Sequence, residues 1–320
     1  MTMNIISPRR LRPGSKVAIV APSGPILSDE VQTGIDVIRE CGLEPVLGPC
    51  VRALKTTASH AASVKDRVDE LNWAFSHPNV SAVIGAVGGE GCAATLPYLD
   101  YDVIRRSRKA FVGMSDLTAI NTGILVNSGL ISFNAQTPSI RLDKGRKITE
   151  ADSESFKLVL EMMKSDQIWG ERPFHFSPHF PRLVSPGSAS GIAVGGNLDT
   201  FVHLMGTPFA PDPEGTVLFI EDVHKDGIDI SRELLHLRLA GFLSRTGAIV
   251  IGEFIDSDHK TSPKTPPVED VILEHFEAGP PCTYGYSFSH GPHTSPIPIG
   301  ARTHVDADSG VVSFDFRMAS

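Results

Sequence analysis

Ser115 stands in Gly113-Met114-Ser115-Asp116, directly after the strand-like run Ala110-Phe111-Val112 and before a helix-like run from Leu117 to about Asn127. A serine squeezed between a strand and a helix sits on a sharp turn. The turn exposes its Oγ and points it at the helix N-terminus, the setting of an acyl-transfer nucleophile. The backbone N–H of Asp116 then faces the same space and can donate to an oxyanion. Gly113 relieves crowding in the turn, but Leu117 stands where a full G-x-S-x-G pattern has its second glycine. A serine here can equally be a helix N-cap, so spacing alone leaves both duties open.

A second chemistry-bearing loop, Gly88-Gly89-Glu90-Gly91, follows the strand-like run Val80 to Val87. Glycines let the backbone approach a ligand and turn its N–H groups inward. Such a loop completes an oxyanion hole, cradles a phosphate, or is only a tight turn; it is neither a Walker A loop nor G-x-G-x-x-G. Downstream, Glu221 and Asp222 end the strand-like run Thr216 to Ile220. An acid there can orient a histidine, or it can be a solvated cap. Of twelve histidines, His290 in Phe288-Ser289-His290-Gly291 is the most suggestive base, because Gly291-Pro292 fixes a loop; His293 is its local rival. Neither lies near another His or Cys cluster, so no zinc motif is read, and neither a metal nor a cofactor is expected.

The elements that must position these residues alternate along the first half. Lys16 to Ala21, Glu44 to Leu47, Val80 to Val87 and Ala110 to Val112 read as strands. Asp29 to Cys41 and Ser63 to Ser76 carry apolar residues at helical spacing, and Cys92 to Leu99 can form a short helix. Repeated βα units with short links predict a parallel sheet covered on both faces, with ligands beyond the carboxyl ends of its strands. Both the glycine loop and Ser115 fall at such ends. Pro173, Pro178, Pro181 and Pro186 punctuate a linker over 171–187. It divides an N-terminal domain, 1–170, from a C-terminal domain, 188–320, in which Ser231 to Phe242 reads as helix, and Ala248 to Ile251 and Gly310 to Phe316 as strands.

Composition limits the function classes. The chain has 320 residues, 41% hydrophobic and 21% charged, the profile of a globular protein with a sizeable core. A net charge of -8 argues against a nucleic-acid partner, which calls for excess Lys and Arg. The first apolar run, Val17 to Ala21, is too short for a signal peptide or a spanning helix, so a cytoplasmic protein with no membrane partner is expected. Cys41, Cys50, Cys92 and Cys282 form no CxxC pair and read as reduced structural thiols.

Taken in order, these segments resemble the LD-carboxypeptidase family of serine peptidases, which includes the microcin C self-immunity hydrolases. The resemblance spans nearly the whole chain. It runs from Val17-Ala18-Ile19-Val20-Ala21-Pro22-Ser23-Gly24-Pro25 through Gly88-Gly89-Glu90-Gly91 and Leu96-Pro97-Tyr98-Leu99-Asp100-Tyr101-Asp102 to Phe111-Val112-Gly113-Met114-Ser115-Asp116. It continues with Gly195-Gly196-Asn197-Leu198, Gly206-Thr207-Pro208, Leu218-Phe219-Ile220-Glu221-Asp222, His290-Gly291 and Pro298-Ile299-Gly300. It implies a flavodoxin-like α/β N-terminal domain and a smaller α/β C-terminal domain, with the active site between them. It also implies a Ser115-Glu221-His290 triad, an oxyanion hole from the N–H groups of Gly89 and Asp116, and substrate contacts at Gly88 and Glu90. The implied substrate is a small peptide, a murein tetrapeptide that loses its terminal D-alanine in cytoplasmic cell-wall recycling, and the implied assembly is a homodimer.

The chain departs from the family pattern at four places. Val87 and Glu90 stand where the family usually has Arg and Tyr, and Lys225 and Ile228 stand where it often has Glu and Tyr. These changes spare the triad and fall where substrate would be held. They keep open a peptidyl- or aminoacyl-nucleotide amide, as in the microcin C hydrolases, as the substrate. The other classes to be weighed are a non-catalytic binder of small anions and, more remotely, a metal hydrolase.

Overall fold

Alternating apolar strands and amphipathic helices fold into two compact α/β units. The computed structural model describes residues 4–26, 28–53, 59–137, 149–166, 181–258, 264–291 and 293–320. Unit 1 comprises Met1–Gln167, Ser295–Gly300 and Arg317–Ser320; unit 2 comprises Ile168–Thr294 and Ala301–Phe316. The division is not one cut in the sequence, because two short stretches expected in the C-terminal domain pack with unit 1. Of the expected linker, residues 171–180 lie outside the described residues, and Arg182–Ser185 is a paired strand.

Unit 1, its strands numbered along the chain, opens with β1 (Lys16–Val20), α1 (Ser28–Glu40), β2 (Glu44–Leu47), α2 (Pro49–Ala53) and α3 (Val64–Ser76). It continues with β3 (Val80–Gly85), α4 (Tyr101–Ser107), β4 (Ala110–Val112), α5 (Thr118–Ser128), β5 (Ser132–Asn134) and α6 (Glu150–Lys164). The late strand β11 (Ile297–Ile299) completes the sheet, whose order is β2-β1-β3-β4-β5-β11. All pairs are parallel except β11 against β5. The inner parallel strands β1, β3 and β4 are largely buried on both faces and so read as apolar runs such as Val17–Val20, whereas the edge strand β2 is half-buried. Sequence cues set the helix ends. Ser63 caps α3 through the Asp66 N–H, a Thr149–Asp152 capping box opens α6, and Gly129 closes α5 in the left-handed conformation. The 2-1-3-4-5 order is that of flavodoxin, and it puts the topological switch point between β1 and β3.

Unit 2 contains β6 (Arg182–Ser185), β7 (Ser188–Asn197), α7 (Leu198–Val202), β8 (Thr216–Val223), α8 (Gly227–Leu239) and β9 (Ala248–Ile255). It continues with α9 (Val268–Phe276), β10 (Cys282–Tyr286), β12 (Arg302–Asp306) and β13 (Val311–Asp315). Its sheet order is β13-β12-β7-β8-β9-β10-β6, a parallel centre of β7 to β10 flanked by antiparallel edges. Two expectations need correction here. Glu221 and Asp222 lie within β8 rather than beyond its end. The helix expected from Ser231 begins at Gly227, because Asp226 accepts the N–H groups of Ile228 and Asp229 and starts it there.

Among the described residues, no helix is long and apolar enough to cross a membrane, and no group of three or more His, Cys, Asp or Glu could hold a metal ion. All four cysteines are free and buried. Burial, with Glu70 beside it, pushes the Cys50 thiol up to about 12, which keeps it protonated and unreactive.

Candidate active site

Unit 1 carries the serine. Between β4 and α5 the chain makes a single 3₁₀ turn, Ser115–Leu117. Ser115 adopts φ 61, a left-handed conformation that few non-glycine residues take. Neighbours hold the turn in place. Gly113 N–H donates to the Phe133 carbonyl at 3.0 Å, and Asn121 Nδ2 donates to the Gly113 carbonyl at 2.8 Å. A Cβ on Gly113 would lie 2.6 Å from the Leu117 side chain, so glycine is needed there. From Lys109 to Leu125, Ser115 alone is not buried. The turn thus lifts one hydroxyl out of an otherwise closed core. It is not the N-cap, because Met114 precedes the turn and no side chain caps it.

Backbone strain of this kind has a measurable signature. At φ 61, glycine is relaxed and alanine is not. Ser115→Gly is therefore expected to be more stable than Ser115→Ala by about 1 kcal/mol, reversing the usual order of those residues. Chemical denaturation of the two variants checks it.

The glycine loop lies against this turn. A Cβ on Gly88 would sit 2.7 Å from the Ser115 Cβ and 3.0 Å from its Oγ. Gly89 takes φ 131 and Gly91 φ 96, conformations that glycine adopts at no steric cost. Val87 is buried, whereas Glu90 is exposed. The loop after β1 touches the same place: Gly24 N–H donates to the Gly88 carbonyl at 3.1 Å. These are the two loops of the topological switch point. The Asp116 carboxylate is buried and accepts from the Ser23 hydroxyl at 2.5 Å and the Cys92 N–H at 2.9 Å.

Unit 2 carries the acid and the imidazole. Glu221 Oε2 lies 2.7 Å from His290 Nδ1, with Glu221 fully buried and His290 nearly so. The pairing of β8 with β9 shifts between Ile220 and Asp222, where Gly252 and Glu253 of β9 together face Glu221; the bulge is thus on β9, beside the acid. Gly252, on the neighbouring strand, leaves the space: a Cβ there would come within 3.1 Å of both the Glu221 Cβ and the Phe288 ring. The histidine's loop is pinned on both sides. Ser289 Oγ accepts the Glu253 N–H at 3.2 Å, and Thr294 Oγ1 donates to the Ser289 carbonyl at 2.7 Å. Burial pulls the His290 pKa down, but the Glu221 charge, its hydrogen bond and the Asp222 charge outweigh this and leave it above the ordinary value. His293, the local rival, is exposed.

Around this pair lies a buried carboxylate group. Asp222 accepts from Asn197 Nδ2 at 3.0 Å and from the Asp199 N–H at 2.9 Å. Burial and the adjacent Glu221 push its carboxyl up to about 6. Lys225 pairs with Asp199 at 2.8 Å and Glu233 at 3.2 Å, and Ile228 is half-buried in the first turn of α8. Burial, with Asp222 close by, raises Glu233 to about 8 despite Lys225.

Three residues of this architecture were not singled out from sequence: the Asp116 side chain, Ser23 and Arg67. Arg67 lies one place before Val68 in the apolar stripe of α3 and is 1% exposed. A charged residue beside an apolar stripe was the only available signal.

Comparison with known proteins places the chain. The model for the LD-carboxypeptidase N-terminal domain matches residues 17–135, and that for the LD-carboxypeptidase C-terminal domain matches residues 190–305. The probable murein peptide carboxypeptidase of Bacillus subtilis is 32% identical over 92% of this chain and 90% of its own. The microcin C7 self-immunity protein MccF of Escherichia coli is 25% identical over 92% of this chain and 90% of its own. Among solved structures, MccF in complex with aspartyl sulfamoyl adenosine has the same fold, with a TM-score of 0.83 at 23% identity over 98% of this chain and 100% of that one. The chain belongs to the LD-carboxypeptidase family. Its class is therefore that of a carboxypeptidase, a hydrolase.

Proposed function

We propose that this protein is a serine-type LD-carboxypeptidase that removes the terminal D-alanine from murein tetrapeptide, leaving tripeptide. Ser115 is the nucleophile, His290 its general base and Glu221 the orienting acid; residues 1–170 supply the first and 188–320 the other two. The buried 2.7 Å contact between Glu221 and His290 carries this reading, because a carboxylate on Nδ1 fixes the tautomer and leaves Nε2 for proton transfer. The strained, half-exposed Ser115 supports it.

In this mechanism His290 takes the Ser115 proton as Oγ attacks the scissile carbonyl. The N–H groups of Gly89 and Asp116 receive the oxyanion, with each such donor typically worth about 3–4 kcal/mol. His290 then returns the proton to the departing D-alanine amine, and water resolves the acyl-enzyme with His290 again as base. Glu221 stays ionised and stabilises the imidazolium. Gly88 and Glu90 border the position of the substrate.

A second substrate class, a peptidyl- or aminoacyl-nucleotide amide cut by the same triad, is favoured by the likeness to MccF and by Glu90, an exposed carboxylate on the glycine loop. Incubation with murein tetrapeptide and with an aminoacyl sulfamoyl adenosine, followed by product analysis, separates the two. Wild type is expected to release D-alanine, and Ser115→Ala to lose at least about 10³-fold in rate. Equal release by both would end the serine assignment. The family resemblance also leads us to propose a cytoplasmic homodimer acting in murein recycling; sedimentation tests the assembly.

A further inference from the structure

We infer that Arg67 and the carboxylate of Asp116, with Ser23, are positioning residues that clamp the β1 loop to the glycine loop and so aim the oxyanion donors of unit 1. The inference rests on the Ser115 nucleophile proposed above.

Three consecutive residues beyond β1 are each tied to a buried charged side chain. The Ala21 N–H donates to Glu70 Oε2 at 2.6 Å, Arg67 Nη1 donates to the Pro22 carbonyl at 2.8 Å, and the Ser23 hydroxyl donates to Asp116 Oδ2 at 2.5 Å. Two of these charges also reach across to the glycine loop. Arg67 Nη1 donates to the Gly91 carbonyl at 3.1 Å, and Asp116 Oδ2 accepts the Cys92 N–H at 2.9 Å. Arg67 and Asp116 therefore each bridge both loops. Between the bridges the backbones meet directly: Gly24 N–H bonds the Gly88 carbonyl, and a Cβ on Gly89 would lie 2.9 Å from the Gly24 Cα.

Stability alone does not account for this arrangement. Arg67 and Glu70 are 1% exposed, and buried charges commonly contribute no more than well-packed apolar residues would. What they supply is geometry. An N–H stabilises an oxyanion only if it is aimed before the charge develops. Gly88-Gly89-Glu90-Gly91 has little stiffness of its own, because three of its four residues are glycine. Its rigidity must come from outside, and the two bridges begin where the loop ends, at Gly91 and Cys92. Asp116 thus has two duties: its N–H faces the oxyanion, and its carboxylate fixes the loop that bears the other donor.

The test compares Ser23→Ala, Asp116→Asn and Ser23→Thr with wild type and Ser115→Ala. Readouts are kcat and KM on murein tetrapeptide, affinity for the product tripeptide, and inhibition by a peptidyl boronic acid that forms a tetrahedral adduct with serine. Since misplacement by an ångström costs about 100-fold, Asp116→Asn is expected to lose about 100-fold in kcat and Ser23→Ala about 10-fold. KM and tripeptide affinity should stay within about twofold, while boronate affinity falls in step with kcat. Ser23→Thr, which keeps the hydroxyl, should restore most of the rate. If Ser115→Ala is inactive but kcat and boronate affinity in Ser23→Ala and Asp116→Asn match wild type, the clamp is wrong and the nucleophile stands. Loss of tripeptide affinity in proportion to kcat would also overturn the clamp. Activity in Ser115→Ala equal to wild type would remove the nucleophile itself.

Discussion

Glu221→Gln is expected to lower kcat/KM on murein tetrapeptide by about 10⁴-fold, the typical cost of leaving a catalytic imidazole in the wrong tautomer. The amide of Gln can still meet Nδ1, so the fold should persist. The pH profile should change as well. His290 must be neutral to accept the Ser115 proton, so the rate rises as pH climbs through the His290 pKa. In wild type that pKa lies above the ordinary 6.5: burial acts against it, but Glu221 and Asp222 prevail. Removing the Glu221 charge leaves burial less opposed, so the acid limb should move to lower pH. Stability has the same origin and a defined sign. A histidine whose pKa is raised on folding contributes stability fully below its unfolded value, and this is lost as pH rises through the folded value. The destabilisation of Glu221→Gln should therefore be larger near pH 6 than at pH 8, as urea denaturation at the two values would show.

Gly88→Ala should remove activity by a steric route. Its Cβ would come within 2.7 Å of the Ser115 Cβ and 3.0 Å of the Oγ, and the first distance is closer than real Cβ atoms approach. Either the Ser115 turn or the glycine loop must then move. The turn is already strained at φ 61, and the loop is tied by Gly24, so neither yields freely. A loss of at least about 100-fold in kcat follows from displacement of the reacting groups. The accompanying loss of stability should be about 1–3 kcal/mol, the usual cost of overpacking. Gly42→Ala is the control. Gly42 has φ 72 but nothing within 4 Å of its Cβ position, so alanine there should strain the backbone and leave kcat unchanged. Steady-state kinetics and thermal melts of both variants decide the matter.

The parts of this protein legible in its sequence are those governed by short-range patterns. Val17 to Ala21 read as a strand because parallel strands buried on both faces are unbroken apolar runs, and β1 follows that run closely. Ser115 was legible as a candidate because a strand, a turn and a helix adjoin there, although φ 61 was not. The strand holding Glu221 was expected to stop at Ile220, since acids normally seek solvent. Instead β8 continues to Val223, because Asn197 and His290 supply buried partners from distant segments. Strands β5, Ser132–Asn134, and β11, Ile297–Ile299, are as short as β4 but carry polar residues or a proline in place of its unbroken apolar run, so neither registers as a strand. Arg67 and Glu70 adjoin Val68 and Leu71 on α3, and only the folded chain shows which carbonyls and amides they meet.

The return of the chain to unit 1 through β11 bears on the order in which the protein is made. During synthesis, every other strand of the unit 1 sheet has left the ribosome long before residues 297–299. Until they arrive, the edge of β5 carries unpaired backbone groups, a template for pairing with another chain. A nascent chain halted anywhere between α6 and β11 would hold an unfinished sheet, and so would a fragment cut at the boundary near residue 170. The unit that bears Ser115 is thus completed only after residues 168–294 of unit 2 have been made, and expressing it alone calls for a circular permutation that carries β11 along.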